Sequence, residues 1–523
     1  MRNDFKKSFF FTKLAFKATT AYFLPNNLSH LMNLQGAVMS MQTLSNYVGG
    51  KWNPAYEQQT LPVENPSTGE VISAVPLSGM KDVAAAVAAA EKAFPSWSAL
   101  PIKERAQIFY RYKTLLEKYS QELAELVHKE NGKILSEAVA EVDKSIEVTE
   151  FACSMPQLSA GEILEVSRGV ECRIDRYPVG VVASITPFNF PLMVPNWTIP
   201  NALVLGNTMI LKPSELVPLS AIRIAELLHE AGLPDGVFNI VNGGQASVEA
   251  LCDHPNIQAL TFVGSTKVAK IVYTRATSHL KRALCLGGAK NHLIVLPDAN
   301  EDMTASNVAA SMSGCAGQRC MAASAMVAVG SVDHIIKKLC DETKKIVPGK
   351  NLGAVISKKA KERIEGYITE AEQQGAKVLV DGRGAKVEGK ENGYYVGPTV
   401  IDYVRPEMRI AQEEVFGPVL SIMRTKTIDE ALKIENASPY GNAASVFTQS
   451  GGMARYVIDH ASAGMIGVNI GVPVPREPFS FGGWNESKFG SGDITGKSSI
   501  EFFTKLKKTT VKWNPESRVN WMS

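Results

Sequence analysis

The segment from Gly314 to Met321 combines a cysteine with residues that would make its thiol reactive. It reads Gly-Cys-Ala-Gly-Gln-Arg-Cys-Met, and the small residues before Cys320 would let the backbone approach a ligand closely. The guanidinium of Arg319 would favour the thiolate, which can attack an electrophilic carbon and form a covalent intermediate. On this segment alone, however, a buried structural cysteine is the better interpretation, because that is the commonest role of the residue.

The composition restricts the classes of protein that can carry this thiol. The 523 residues are 45% hydrophobic and 20% charged, an ordinary balance for a chain long enough to bury two large cores. The mean hydropathy is −0.03 and no run of about 18 apolar residues occurs, so we expect no membrane partner. The 55 basic and 52 acidic residues give a net charge of +3, which argues against nucleic acid as a partner. The 7 cysteines form no CxxC or CxxxH pair, which favours reduced thiols over zinc sites or disulfides.

Residues 1–40 differ from the rest of the chain because they are basic and contain a single acid, Asp4. Such a segment is typical of a mitochondrial transit peptide, which would place the protein in the mitochondrial matrix. The preferred interpretation is a start codon assigned too early, because Met39 and Met41 both precede the globular pattern that begins near Tyr47. The sequence therefore favours a cytoplasmic protein with an N-terminal extension at 1–40.

A helical region is predicted from Met80 to about Met155. Within it, apolar residues recur at steps of three and four, the spacing of one face of an α-helix. These residues are Ile108, Tyr112, Leu115, Tyr119, Leu123 and Leu126. Asn131-Gly132 is predicted to end this helix.

From Tyr177 onward, short apolar runs alternate with helical stretches such as Leu219–Ala231, which closes at Gly232. Alternation of this kind is typical of a parallel sheet with helices on both faces. The runs predicted as buried strands are Val181–Ile185, Met209–Leu211, Phe238–Val241 and Ala259–Val263. Ligands of such sheets bind beyond the carboxyl ends of the strands. The polar residues found there are Thr186-Pro187-Phe188-Asn189, Lys212-Pro213-Ser214-Glu215 and Gly264-Ser265-Thr266.

A second alternating region follows from His292, after a turn at Gly287-Gly288, so two α/β domains with a cleft between them are the simplest packing. Two other segments alternate without a helical period: Gly161–Pro178, predicted as a protruding hairpin, and Ser499–Val511, predicted as a lone terminal strand. Unpaired strand edges need partners, so we expect an oligomer. The strands predicted in the second region are Leu293–Leu296, Ala325–Val329, Val419–Met423 and Ala444–Phe447.

Five short motifs occur in an order and at separations that resemble the NAD(P)-dependent aldehyde dehydrogenase superfamily, over roughly residues 45–512. The resemblance implies an α/β fold with a Rossmann-like NAD-binding domain (41–160 and 179–290) and a catalytic domain (291–487). It also implies a small β oligomerisation arm (161–178 and 488–523) in a homodimer or homotetramer. The superfamily binds NAD without a GxGxxG fingerprint, and this chain has none after its first strand. The five motifs are Thr186–Pro191, Lys212–Glu215, Phe262–Thr266, Gly317–Cys320 and Glu414–Pro418.

The resemblance also implies roles within the site. Cys320 would be the nucleophile, and the Asn189 amide together with the Cys320 backbone N–H would form the oxyanion hole. Hydride transfer to NAD would then leave a thioester on Cys320. A carboxylate at Glu215 would repel a 2′-phosphate, which favours NAD over NADP. The residues implied in cofactor binding are Thr186, Phe188, Lys212, Glu215, Ser265, Gly287, Glu414 and Phe416, and no metal site is implied.

One departure from the superfamily pattern indicates a particular branch. Most members have a glutamate just before the Leu-Gly-Gly turn, where it activates the deacylating water, and this chain has Cys285 there. A thiol in an apolar stretch is a poor base for water, so the thioester should wait for another acceptor. The methylmalonate-semialdehyde dehydrogenase family also lacks this glutamate and uses the thiol of coenzyme A. The segments Gly288–His292 and Cys252–Pro255 are similar to that family.

That family oxidises malonate semialdehyde or its methyl derivative, with loss of CO₂, to acetyl-CoA or propionyl-CoA in valine or inositol breakdown. A carboxylated substrate needs a cation, and the resemblance implies Arg319 and Lys144 for it. Lys144 stands where the family has arginine, and a solvated helix lysine is an equal interpretation. One alternative is a hydrolytic aldehyde or semialdehyde dehydrogenase with a substitute base. A non-catalytic relative is the other, and the presence of Cys320 and Asn189 argues against it.

Overall fold

The computed structural model describes residues 43–513, so the interpretations of residues 1–40 lie outside the described range, as does the predicted arm beyond residue 513. Within that range, no helix is both long and apolar enough to cross a lipid bilayer. The helices are α1 (Met80–Ala99), α2 (Ile102–Lys118), α3 (Ser120–Asn131), α4 (Leu135–Cys153), α5 (Met155–Leu158), α6 (Met193–Val204), α7 (Leu219–Glu230), α8 (Gln245–Asp253), α9 (Thr266–Ser278), α10 (Glu301–Ser313), α11 (Asp333–Lys344), α12 (Lys358–Gln373), α13 (Arg409–Gln412), α14 (Ile428–Asn436), α15 (Gly451–His460) and α16 (Ser499–Phe503). The strands are β1 (Asn46–Val48), β2 (Lys51–Asn53), β3 (Thr60–Asn65), β4 (Glu70–Pro76), β5 (Glu162–Ser167), β6 (Val170–Pro178), β7 (Val181–Ile185), β8 (Thr208–Lys212), β9 (Phe238–Ile240), β10 (Ile257–Val263), β11 (Arg282–Leu286), β12 (Asn291–Val295), β13 (Ala323–Val329), β14 (Lys377–Val380), β15 (Thr399–Asp402), β16 (Val419–Thr425), β17 (Tyr440–Gly441), β18 (Ala443–Phe447), β19 (Met465–Val468), β20 (Trp484–Asn485), β21 (Lys488–Phe489) and β22 (Thr504–Lys512).

The helical region predicted between Met80 and Met155 is confirmed, but it is divided into the helices α1 to α5. The helix is interrupted at Tyr119, between α2 and α3, so the prediction of one continuous apolar helix face is wrong. Leu126 is only partly buried because Val127 takes the inner position on α3. Gly132 follows α3 in the left-handed conformation, with a φ of 86°, and ends the helix as predicted.

The first sheet contains the strand order β2-β1-β9-β8-β7-β10-β11-β21. The strands from β9 to β11 run parallel, and they include the strands predicted from the apolar runs. After β7 the chain builds β8 and β9 on one side and then crosses to build β10 on the other. The crevice between the carboxyl ends of β7 and β10 is therefore the switch point, where ligands of such sheets bind.

The second sheet has the order β14-β15-β16-β13-β12-β18-β19, and only β14 runs antiparallel to its neighbour. It confirms the predicted strands in β12, β13, β16 and β18. The connection from α10 to β13 carries Cys320, and the turn at Gly287-Gly288 links β11 of the first sheet to β12. The domain boundaries stay a prediction.

A third, smaller sheet has the order β22-β6-β5. The hairpin of β5 and β6 is confirmed, but the prediction of a lone terminal strand is wrong. β22 pairs antiparallel with β6 from Thr504 opposite Pro178 to Lys512 opposite Val170, so its backbone finds a partner within the chain. The start of that predicted strand is instead the short helix α16. β5 remains an outer strand, and its role in oligomerisation stays a prediction.

Candidate active site

The carboxyl ends of β7, β8 and β10 open into a cavity of ≈ 680 Å³. Segments that lie far apart in the sequence meet around it, since the first sheet contributes one wall and the segments before β13 and β16 contribute the other. The predicted site residues that line the cavity are Thr186, Phe188, Asn189, Lys212, Glu215, Ser265, Gly287, Cys320, Glu414 and Phe416. Arg319 and Lys144 are not among the lining residues.

The segment before Cys320 is a turn with unusual backbone geometry. Cys315, Ala316 and Gly317 all have positive φ, at 53°, 52° and 68°. This left-handed conformation costs a non-glycine residue about 1–2 kcal/mol. Glu137 supports the turn, because its Oε1 accepts a hydrogen bond of 2.6 Å from the Cys315 backbone N–H. A side chain at Gly317 would overlap the backbone of Gly417, so the close approach of the two loops requires glycine there.

The backbone of Cys320 is fixed from the second sheet. Its carbonyl oxygen accepts hydrogen bonds from the side-chain amides of Asn291 at 2.7 Å and Asn442 at 2.9 Å. Asn291 begins β12 and Asn442 directly precedes β18, which are paired strands. Cys320 is therefore anchored on rigid elements, although the residue itself lies in a loop.

The thiol of Cys320 is held in its protonated form. Burial raises its pKa to about 12, and the carboxylate of Glu414 acts in the same direction. Arg319 lowers this pKa, as its sequence position predicts, but burial and Glu414 outweigh it. At neutral pH the thiol therefore needs a base or an added positive charge in the cavity before it can react.

Asn189 lies in the segment that follows β7, and it is 6% exposed. Side chains from the helical region hold the backbone on both sides of its Cα. Asn131 donates from Nδ2 to the Phe188 carbonyl at 2.8 Å, and Lys133 donates from Nζ to the Asn189 carbonyl at 2.8 Å. Within residues 43–513, the Asn189 side-chain amide makes no hydrogen bond, so it is available to a ligand in the cavity.

The opposite end of the cavity carries an ion pair and a helix N-terminus. Lys212 Nζ lies 2.9 Å from Glu215 Oε2. Burial opposes the ionisation of Glu215, but Lys212 outweighs it and holds the pKa of this carboxyl below its usual range. Ser265 directly precedes α9, whose first backbone N–H groups suit a phosphate. A carboxylate for ribose hydroxyls and a helix N-terminus for phosphates are the groups that a dinucleotide needs.

Glu414 stands between the thiol and the turn that links the two sheets. Its Oε1 accepts a hydrogen bond of 3.0 Å from the backbone N–H of Ala289. A side chain at Gly288 would overlap its other oxygen, so glycine permits this approach. Burial raises the pKa of Glu414 to about 7, although Lys290 and Arg363 favour its ionisation. This carboxyl can therefore hold or release a proton near neutral pH.

Two aromatic rings pack edge to face beside these groups. The rings of Phe188 and Phe416 have their centres 5.8 Å apart and are nearly perpendicular, at 89°. Both rings line the cavity, so an apolar surface lies next to the thiol and the carboxylate. A planar ring of a bound cofactor could pack against such a surface.

Cys285 contributes no base to the cavity. Its neighbours Leu284 and Leu286 belong to the apolar cluster against which Cys320 packs, whereas Cys285 belongs to another cluster. Side chains alternate between the two faces of a strand, so Cys285 points away from that cluster. Burial raises the pKa of its thiol well above the usual range. Among the described residues, the acids that line the cavity are Glu215, Glu249 and Glu414.

The two residues predicted to bind a substrate carboxylate lie outside the main cavity. Arg319 donates from Nη2 to the carbonyls of Ala310 at 3.1 Å and Ser311 at 3.2 Å, near the end of α10. Its Nε is buried and makes no hydrogen bond within the described residues. Lys144 pairs with Glu477 at 2.5 Å. Arg319 does line a smaller pocket together with Cys320 and Glu414, whereas Lys144 lines neither pocket. The substrate-binding roles of both residues stay predictions.

Arg363 is a further cation that lines the cavity, and it was not predicted from the sequence. It lies on α12 and donates from Nη1 to the Val415 carbonyl at 2.7 Å, next to Glu414. The spacing of α12 is that of an ordinary amphipathic surface helix, so no local signal marks this residue. Among residues 43–513 there is also no group of three or more His, Cys, Asp or Glu side chains that could hold a metal ion.

Comparisons with known proteins agree on one family. The model of the family described as "Aldehyde dehydrogenase family" matches residues 52–509. Malonate-semialdehyde dehydrogenase 1 of Geobacillus thermodenitrificans is 45% identical over 482 residues, which are 90% of this chain and 99% of the relative. The crystal structure of a methylmalonate-semialdehyde dehydrogenase from Oceanimonas doudoroffii has a TM-score of 0.89 and 43% identity, over 91% of this chain and 99% of that one. A protein named as a methylmalonate-semialdehyde dehydrogenase from Sinorhizobium meliloti 1021, complexed with NAD, has a TM-score of 0.89 and 41% identity, with the same coverage of both chains.

Proposed function

Because the chain belongs to the aldehyde dehydrogenase family, we propose that it oxidises malonate semialdehyde or its methyl derivative with NAD and transfers the remaining acyl group to coenzyme A. One observation carries the choice of acceptor. The position just before the Leu-Gly-Gly turn holds the buried, apolar Cys285 and no carboxylate. The similarity to relatives named for these two semialdehydes supports the choice of substrate.

Two residues of the chain would carry out the first half of the reaction. The Cys320 thiolate attacks the aldehyde carbon and forms a hemithioacetal. The side-chain amide of Asn189 and the backbone N–H of Cys320 stabilise the negative charge that develops on the aldehyde oxygen. NAD, when bound, accepts the hydride. What remains on Cys320 is a thioester.

The shape and chemistry of the cavity fit NAD. Lys212 and Glu215 would hold the ribose of the adenosine, and the helix that follows Ser265 would hold the diphosphate. Glu414 would accept from the second ribose, with Thr186, Phe188, Gly287 and Phe416 around the reacting ring. All of these residues line one cavity, which supports this fit.

The second half of the reaction uses the thioester as an electron sink. The carbon–carbon bond to the β-carboxylate breaks, its electrons move toward the thioester carbonyl, and CO₂ leaves. A proton then returns to the acyl carbon. The thiol of coenzyme A attacks the thioester carbonyl, and the Cys320 thiolate departs as the product thioester forms. The products are acetyl-CoA or propionyl-CoA.

The substrate carboxylate requires a cation close to the thiol, and Arg319 remains the first candidate. It neighbours Cys320 in the chain, and its buried Nε lacks a hydrogen-bond partner within the described residues. An unpaired buried donor of a charged group is costly, and a carboxylate would satisfy it. Lys144 would have to leave Glu477 to take part, so its role as the second ligand is the weaker part of the proposal.

The proposal is tested by identifying the acyl product by mass spectrometry. The full-length protein is incubated with NAD, coenzyme A and either semialdehyde, and we expect acetyl-CoA from malonate semialdehyde and propionyl-CoA from the methyl derivative. Cys320→Ala should form no product while still binding NAD. Cys285→Ala is the matched control and should keep its activity, because Cys285 does not line the cavity. Free acetate or propionate as the sole product would contradict the proposal.

A second candidate function is hydrolysis of the thioester to a free acid. The observation that favours it is Glu414, whose carboxyl acts on the Cys320 thiol and has a pKa raised to about 7. Such a group could activate water in place of the missing glutamate. Loss of the free acid in Glu414→Gln, with a single-turnover burst of NADH retained, would support this alternative.

We propose further that the protein acts in the cytoplasm as a homodimer or homotetramer, or in the mitochondrial matrix if residues 1–40 are a transit peptide. Among the described residues, the outer edge of β5 has no strand partner, and this supports assembly through the small sheet. The proposed division into an NAD-binding domain (41–160 and 179–290), a catalytic domain (291–487) and an arm (161–178 and 488–523) follows from this reading. Valine or inositol breakdown is the proposed setting.

A further inference from the structure

A lysine that is almost wholly removed from solvent lies behind the active site. The side chain of Lys133 is 1% exposed and that of Glu141 is 0% exposed, and the two form an ion pair of 2.5 Å. Removing two charges from water is costly, and apolar side chains of similar volume often stabilise a fold equally well. Overall stability is therefore a weak explanation for this pair, and the contacts of the ammonium group indicate a more specific role.

The ammonium group of Lys133 contacts the Asn189 segment directly. Its Nζ donates a hydrogen bond of 2.8 Å to the backbone carbonyl of Asn189 and lies 4.1 Å from the centre of the Phe190 ring. Hydrogen bonds from a buried cation are strong, and the face of an aromatic ring attracts a cation. Lys133 therefore holds two successive residues, one of which carries the amide that lines the cavity.

Glu141 holds the other end of the same segment. Its Oε1 accepts hydrogen bonds from the backbone N–H groups of Leu192 at 2.9 Å and Met193 at 3.1 Å, where α6 begins. A carboxylate is favourable at the N-terminus of a helix. The ion pair thus contacts residues 189–193 at both ends and restricts the path of the chain between them.

The backbone of Lys133 is itself held in place. It follows the left-handed Gly132, whose carbonyl accepts a hydrogen bond of 2.9 Å from the Ala354 N–H. The carbonyl of Lys133 lies 2.6 Å from Nδ1 of His128. Because the lysine is fixed at its backbone and at its ammonium group, its loss would let Asn189 move relative to the thiol.

We propose that Lys133 is the positioning residue of the oxyanion hole. By holding the Asn189 carbonyl, with Glu141 as its counter-ion, it keeps the Asn189 side-chain amide where negative charge develops on the substrate oxygen. Lys133 itself touches no substrate. The proposal rests on the thiol chemistry proposed above, and it is independent of coenzyme A and of the identity of the aldehyde.

Helix α4 also offers a contrast. Glu137, four residues before Glu141, supports the turn of the nucleophile through the Cys315 N–H at 2.6 Å. One helix thus carries Glu141, which holds the segment that contains Asn189, and Glu137, which holds the turn that precedes Cys320. A change at Glu141 should therefore slow only the reaction that forms an oxyanion, whereas a change at Glu137 should alter both reactions of the cysteine.

The test compares two reactions of Cys320 that differ in their need for an oxyanion hole, and neither requires NAD. Acylation by p-nitrophenyl acetate forms a bond from sulfur to the acetyl carbon and breaks the ester bond, through a tetrahedral oxyanion. The thiol proton and p-nitrophenolate are released. Alkylation by iodoacetamide forms a bond from sulfur to a saturated carbon, releases iodide and the thiol proton, and forms no oxyanion. Both reactions are measured on the full-length protein.

The variant Lys133→Met with Glu141→Gln removes both charges and leaves neither unpaired. We expect its acylation to slow about 10²-fold, as for a small misplacement of a catalytic group, while alkylation stays within about twofold. Asn189→Ala should give a similar loss of acylation rate. Adding Asn189→Ala to the double variant should make acylation no slower than Asn189→Ala alone, because the effects of substitutions at interacting residues are not additive. Glu137→Gln, the matched control, should change the rates of both reactions, because Glu137 supports the turn that places the thiol.

Several outcomes would overturn the proposal. These are acylation at the wild-type rate, equal losses in both reactions, or a loss that multiplies with that of Asn189→Ala. If the double variant does not fold, Lys133→Arg decides by the same comparison, because it keeps the charge but changes the geometry of the donor. A wild-type protein that acylates no thiol would refute the proposed function as well, whereas a defect confined to these comparisons would refute only the role of Lys133.

Discussion

Cys320 and Glu414 form a pair in which the negative charges of the thiolate and the carboxylate would repel each other. The thiolate is disfavoured because burial raises the pKa of the thiol to about 12 and the Glu414 carboxylate acts in the same direction. A thiol with so raised a pKa is almost entirely protonated at neutral pH. Protonation of Glu414 or the arrival of a cationic ring would favour the thiolate. The Cys320 thiol should therefore stay protonated, and so unreactive, until a ligand occupies the cavity.

Glu414→Gln should accelerate the alkylation of Cys320 by iodoacetamide at slightly alkaline pH. The substitution removes a negative charge beside the sulfur, so the pKa of the thiol falls, and each unit of pKa gives about ten times more thiolate. The measurement is the rate of alkylation of wild-type and variant protein as a function of pH.

Glu215→Gln is the matched control for that experiment. Glu215 lines the same cavity but is paired with Lys212, and it is not among the charges that act on Cys320. Its substitution should leave alkylation unchanged. An unaltered rate in Glu414→Gln, or an equal increase in both variants, would contradict this account of the thiol.

At the scale of elements, the left-handed turn at residues 315–317 leads directly to Cys320 and should determine where its thiol lies. Gly317→Ala should slow acylation of Cys320 by at least about 10²-fold, because a methyl group would overlap the backbone of Gly417 and displace the loop. Acylation by p-nitrophenyl acetate and thermal unfolding measure the two effects.

Gly384→Ala separates that overlap from backbone strain. Gly384 has nearly the same φ, +67° against +68° for Gly317, but nothing lies within 4 Å of an added Cβ. We expect a cost of about 1–2 kcal/mol in stability and no change in the acylation of Cys320. Equal acylation rates in the two alanine variants would show that the turn does not position the thiol.

The sequence predicted the strands well but missed the contacts that hold the site together. Buried strands such as β7 have apolar runs bounded by polar or glycine residues, which is a local signal. The break at Tyr119 has none, because apolar spacing continues across it. Cysteine and alanine do not favour positive φ, so the sequence does not predict the left-handed conformation of Cys315 and Ala316. Lysine is usually a surface residue, so the sequence does not mark Lys133 as buried. Its burial depends on Glu141 and Asn189, which only the fold brings near.

At the scale of the whole molecule, β22 and β5 are the two outer strands of the small sheet among the described residues. Ile163 and Leu164 on β5 are 65% and 67% exposed. Ile163→Arg should shift the protein to a smaller assembly in light scattering coupled to gel filtration, because a charge would replace apolar contact at an open edge. Glu165→Arg, a substitution on the same strand that removes no apolar contact, is the control. A wild-type monomer, or an unchanged mass in Ile163→Arg, would contradict assembly through this sheet.

The fold brings a thiol, an amide and a cavity that fits a dinucleotide together, and it leaves no base at position 285. The central claim is that the acyl group leaves Cys320 for another thiol and not for water. The most direct test is the time course of NADH formation from NAD and malonate semialdehyde in the absence of coenzyme A. We predict a burst equal to the number of sites, followed by slow turnover, and steady turnover once coenzyme A is added. Steady turnover at the full rate without coenzyme A would contradict the claim.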